Sequence, residues 1–166
     1  VFSSKTVTTE DNTKPNIQLS MGDHQAGEND WYKGLTINTK ITDNDEVKET
    51  LYCITTEKSC TPNETLELTE GVGHVQFSSN NKGQKVCFKA TDRKGNENIT
   101  CSDTYFVDGT EPTLTDITLT PEDDSMTITV NSSDKESGVY TYYYSKDGGS
   151  EYIESKDNNY TFTSLE

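Results

Sequence analysis

Four cysteines are the residues most able to do chemistry in this chain. Six residues separate Cys53 from Cys60, and thirteen separate Cys87 from Cys101. Neither interval is the C-x2-4-C of a zinc knuckle or the C-x-x-C of a thiol oxidoreductase. His24 and His74 lie far apart and form no H-x3-5-H pair. The cysteines therefore read as disulfides, which belong to an oxidising compartment. Opposed positions in an antiparallel hairpin keep a constant index sum. In the stretch VCFKATDRKGNENITC a turn centred on Lys94 sets Asp92 opposite Asn96 and Cys87 opposite Cys101. A two-residue turn at Thr56–Glu57 would likewise set Cys53 opposite Cys60. Val86, Phe88 and Ala90 are the apolar set, so Cys87 is expected to point outward and the two bonds to staple a sheet surface.

Other chemistry is thinly represented. No G-x-S-x-G elbow and no glycine-rich phosphate loop followed by a helix is present, so no catalytic residue is assigned and the chain reads as a non-enzyme. Carboxylates are dense at "TDNDE" and "PEDDS". Asp43, Asp45, Glu46 and Asp108 offer the oxygen ligands that Ca²⁺ takes, although the twelve-residue EF-hand loop is missing. Solvated turns are the alternative, and otherwise no cofactor is implied. In "YTYYYS", Tyr142 and Tyr144 share one face, expected inward, while Tyr143 takes the other. The Asn-x-Ser/Thr sequons at Asn63, Asn98, Asn131 and Asn159 follow from a Thr- and Asn-rich composition.

Strands must position these residues. Met126, Ile128 and Val130 alternate with Thr127 and Thr129, and Leu35, Ile37 and Ile41 come from a similar run. Clusters such as "SSNNKGQ", "DRKGN", "PEDDS" and "SDKESG" break the runs, and no segment carries a helical stripe. Only 29% of the residues are apolar, which suits thin layers rather than one thick core. The net charge is −15. Residues 15–110 hold nine positive against fifteen negative side chains, and residues 111–166 hold three against twelve. So acidic a chain is a poor partner for nucleic acid or for an anionic membrane surface. No apolar run is long enough to insert into a bilayer.

The sequence also repeats. Asp11, Thr13 and Pro15 match Asp108, Thr110 and Pro112 at an offset of 97, and Asp43 matches Asp134 at 91. Val47 and Tyr52 match Val139 and Tyr144 at 92. The series predicts a complete β-sandwich over 15–110 and a second, shorter copy over 111–166. Residues 1–14 then read as a linker or as the tail of a preceding copy, with Ser3–Thr9 resembling a final strand. The closing "LE" carries no functional weight and is consistent with a cloning scar.

At "WYKGLTINTKITDND", "GQKVCFKATDRKGNENITCSDTYFVDGTEPT" and "SDKESGVYTYYYSKDGG" the chain resembles tandem bacterial immunoglobulin-like modules, related in style to fibronectin type III repeats. Trp31 sits where that family opens its second strand, Ala90-x-Asp92-x-x-Gly95-Asn96 where it turns, and Asp134-x-x-Ser137-Gly138-Val139 at its hinge. The first copy lacks the Ser-Gly pair, reading Asp-Asn-Asp-Glu-Val. The resemblance implies an all-β fold of tandem sandwiches in a secreted or cell-wall-attached adhesin-type protein. The role implied is spacing and display, with neighbouring modules of the same chain as partners. Two alternatives remain open: a module that itself holds a host glycan or protein, and an accessory region of a large secreted hydrolase.

Overall fold

The computed structural model describes residues 10–165, and every regular element among them is a strand. The elements are β1 (Asn16–Ala26), β2 (Trp31–Thr42), β3 (Val47–Thr55), β4 (Glu64–Thr65), β5 (Val72–Gln76), β6 (Lys85–Asp92) and β7 (Glu97–Cys101). They are followed by β8 (Phe106–Val107), β9 (Thr113–Glu122), β10 (Ser125–Ser133), β11 (Tyr142–Tyr144), β12 (Ile153–Ser155) and β13 (Asn159–Thr163). The Ser3–Thr9 segment read as a final strand lies outside the described residues.

Residues 15–110 build two four-stranded sheets. One runs β1-β2-β5, with β8 joining β2 in parallel at Trp31 and Tyr32; the other runs β4-β3-β6-β7. One apolar cluster draws on both. Ile17, Leu35, Ile37, Ile41, Val75 and Val107 come from the first sheet and Val86, Phe88 and Ala90 from the second. The period-2 alternation of β2 and β6 is what turns these side chains to one face. Each large aliphatic or aromatic group so buried contributes about 1.5–3 kcal/mol.

Turn chemistry sets the registers. The β1–β2 hairpin closes through Gly27 N–H to Trp31 O at 2.8 Å, with Asn29 and Asp30 at φ 52° and 63°, a conformation these two residue types tolerate. In the β6–β7 turn Gly95 holds φ 91°, and Asp92 N–H donates to Asn96 O at 3.1 Å. That turn puts Ala90 opposite Asn98 and Cys87 opposite Cys101.

The hairpin after Cys53 departs from the tight turn expected at Thr56–Glu57. Leu51 faces Thr65 and Tyr52 faces Glu64, so residues 56–63 form a wide loop that contains Cys60. Pro62 has no N–H to give to a ladder, which keeps this stretch out of the sheet. The strand partner of Cys53 is Cys87, because β3 and β6 are neighbours.

Residues 111–165 lay down β13-β10-β9 as one sheet and β11-β12 as another. Ile128 faces Tyr160 here, as Ile37 faces Val75 in the first sheet. Tyr143 faces Glu154 and Tyr144 faces Ile153, much as Leu51 and Tyr52 face Thr65 and Glu64. Nothing among the described residues stands where β6 and β7 stand in the first half. Leu114, Ile117 and Leu119 on β9 accordingly remain more than half exposed.

Candidate functional site

The sulfurs form one cluster. Cys53 bonds Cys60, with the Cα atoms 6.3 Å apart, and Cys87 bonds Cys101, with the Cα atoms 3.9 Å apart. Sulfurs of Cys53, Cys60 and Cys87 lie within 4.8 Å of one another. No cysteine is free. Cys87 lies on the face opposite Phe88, yet only 1% of it is exposed. The expectation of an outward, solvent-facing Cys87 is therefore corrected. Its cross-strand neighbours Cys53 and Cys101 sit on either side of it, and the loop carrying Cys60 is bonded back to this face. Two closed disulfides offer neither a thiolate nucleophile nor a metal ligand.

The acidic residues named from sequence separate into two groups. Asp43 lies with Asp11 and Asp92, and Asp108 lies with Asp134 and Glu136; in each group one oxygen from each carboxylate falls within 4.8 Å of the other two. Asp45 gives its backbone N–H to Asp43 Oδ1 at 2.9 Å, and Glu46 pairs with Arg93. Neither contributes a carboxylate to a cluster. Among the residues that complete the groups, Asp11 and Asp134 were legible through the repeat, as counterparts of Asp108 and Asp43, and Glu136 carried no signal. Asp92 belongs to the Ala-x-Asp-x-x-Gly-Asn turn.

In the first group, Asp92 is wholly buried. Its Oδ1 accepts the N–H groups of Lys94 and Asn96, both at 2.8 Å, and its Oδ2 accepts Asn96 Nδ2 at 2.7 Å. Burial pushes the Asp92 carboxyl up, but the Asn96 side chain and the surrounding backbone N–H groups together outweigh it and hold the carboxyl low. Asp11 is also held low, first by the Thr13 N–H, with help from Asn44. Asn96 Nδ2 and Asn98 Nδ2 donate to the backbone carbonyls of Asp11 and Pro15 at 3.0 and 2.9 Å, which fastens the entering chain.

The second group straddles the segment between the two halves. Asp108 Oδ1 accepts Thr110 N–H at 2.8 Å, and Oδ2 accepts Ser137 N–H at 3.1 Å and Ser137 Oγ–H at 2.6 Å. Burial opposes its ionisation, but the Ser137 hydroxyl and the two N–H groups win and lower it. Asp134 Oδ1 takes the N–H groups of Glu136, Ser137 and Gly138, each at 3.0 Å. Gly138 manages this at φ 79°, where a side chain would be strained.

The aromatics are largely spoken for. A cleft of 590 Å³ is lined in part by Trp31, Tyr32, Asp108, Pro112 and Tyr140. Trp31 packs on Phe106 at 5.2 Å, and Lys156 Nζ lies 3.1 Å above the Tyr140 ring. Tyr144 is buried, stacks on Tyr160 and donates its hydroxyl to Asp157 O at 3.0 Å, while Tyr142 is half-buried beside it. Tyr143 and Tyr152 are the outliers, 60% and 63% exposed. On β1, His24 Nδ1 donates to Gly22 O at 2.9 Å and its ring packs edge-on against Tyr32, and His74 Nδ1 meets Asn38 Oδ1 at 2.7 Å. No helix among the described residues is long and apolar enough to cross a membrane. No family model matches this chain, and neither a curated protein nor a solved structure matches it.

Proposed function

We propose that the chain is a non-catalytic extracellular spacer: two immunoglobulin-like β-sandwiches, 15–110 and 111–166, joined in series to hold and display other parts of a cell-surface protein. The observation that carries this reading is Asp108. It ends the first half, and its carboxylate clasps both the linker at Thr110 and the second half at Ser137. A joint that only needed to connect would not be hydrogen-bonded on both sides. Pro112 adds stiffness by fixing its own φ and biasing Glu111 to extended geometry. The like strand order in the two halves supports common modules, and the paired disulfides support an oxidising environment outside the cell.

The rival reading is a module that binds a glycan or host protein. At the joint cleft Trp31 packs on Phe106 and Lys156 Nζ lies over Tyr140, while Tyr143 and Tyr152 are the most exposed rings. A glycan array separates the two. A spacer gives no saturable signal. A saturable signal that Tyr143→Ala or Tyr140→Ala abolishes would establish the rival.

A further inference from the structure

The two acidic groups look alike in residue type but not in how they are satisfied. Asp11 and Asp92 together accept five hydrogen bonds, from Thr13, Asn44, Lys94 and Asn96, and Asp134 and Asp108 together accept six, from Glu136, Ser137, Gly138 and Thr110. The counterpart of that hinge in the first half lacks the Ser-Gly pair. Asp43 therefore receives a single N–H, from Asp45, on Oδ1. Its other oxygen, Oδ2, is shut off from solvent and has no hydrogen-bond partner. A buried carboxylate oxygen left without a donor is costly. Asp43 lies within a group of three carboxylates, one of them wholly buried. Among the described residues the ion pairs are Lys89–Glu97 and Arg93–Glu46, and neither neutralises the group.

We propose that Asp11, Asp43 and Asp92 bind one divalent cation of the calcium type, which locks the entering chain at Asp11 to the β2–β3 and β6–β7 turns. The donor set is all oxygen, which selects a hard cation over zinc or copper. Two oxygens each about 2.4 Å from one ion lie at most about 4.8 Å apart, and these three carboxylates meet that spacing. Asn44 and Asn96 orient Asp11 and Asp92 from behind, as outer partners of metal ligands commonly do. In the second group no carboxylate oxygen is both shut off from solvent and without a donor, and it takes no ion. The cation site does not depend on the spacer role, since it would exist equally in a ligand-binding module.

The test is calorimetric titration of the EDTA-stripped chain with CaCl₂, alongside thermal melts in EDTA and in calcium. The wild-type chain binds one ion, and about 10 mM calcium, above the roughly 1 mM range of weak extracellular modules, raises its melting midpoint by about 5 °C. Asp43→Asn abolishes both effects while melting no lower than wild type in EDTA, because it removes like-charge repulsion. Asp134→Asn keeps both effects. Should Asp43→Asn fail to fold, Asp11→Asn, on an accessible segment, gives the same readout. Absence of binding at that concentration would overturn the proposal. So would binding retained by Asp43→Asn and Asp11→Asn, or binding lost only in Asp134→Asn.

Discussion

Asp147 shows how single carboxylates organise the turns of this chain. Its Oδ1 accepts Ser145 Oγ–H at 2.7 Å, Ser150 N–H at 3.0 Å and Glu151 N–H at 3.2 Å, and it stands apart from both acidic groups. The Ser145 hydroxyl and the Glu151 N–H hold its carboxyl below the ordinary value. A depressed carboxyl stabilises the fold fully above its unfolded value, about 3.9. That contribution is lost as the pH falls through the lower folded value. In an NMR titration the Ser150 and Glu151 amide resonances should therefore shift together with a midpoint below that value. A midpoint at or above it would show that the carboxylate does not hold the loop. Alternation and spacing could identify such turns as turns. They could not say which carboxylates meet, because Asp11, Asp43 and Asp92 come together only when three separate loops converge.

Among the elements, β6 is the one on which the first half depends. It is hydrogen-bonded on both sides, to β3 and β7, and sends Val86, Phe88 and Ala90 into the core. Phe88→Ala should cost about 3–5 kcal/mol in chemical denaturation, the range for deleting a fully buried aromatic group. The Cys87–Cys101 bond closes its hairpin, and replacing both residues with Ser should cost about 3 kcal/mol under non-reducing conditions. A loss below about 1 kcal/mol in either case would mean that β6 is not the keystone. This hairpin was legible in sequence because its turn residues, apolar alternation and cysteine spacing all imply one register. The hairpin after Cys53 was not. Its polar loop has no alternation to fix a register, and the two-residue turn that would oppose the cysteines competes with a wide loop around Pro62. The burial of Cys87 was hidden for a related reason: alternation assigns a face but not what folds over it.

For the whole molecule, the contrast between the halves predicts uneven protection. Backbone amides after Glu111 should exchange faster than those within residues 31–107, since β9 is exposed along its length and β11 and β12 are three residues each. Equal protection in a monomer would contradict that. The spacer reading itself turns on whether the joint at Asp108–Pro112 is stiff. The most direct measurement is the distance distribution between spin labels on Glu67→Cys and Thr120→Cys, one exposed site in each half, by double electron–electron resonance. A stiff joint gives one narrow distance, and adding Asp108→Ala broadens it by freeing Thr110 and Ser137. A distribution already broad in the parent chain, or one that Asp108→Ala leaves unchanged, would contradict the account.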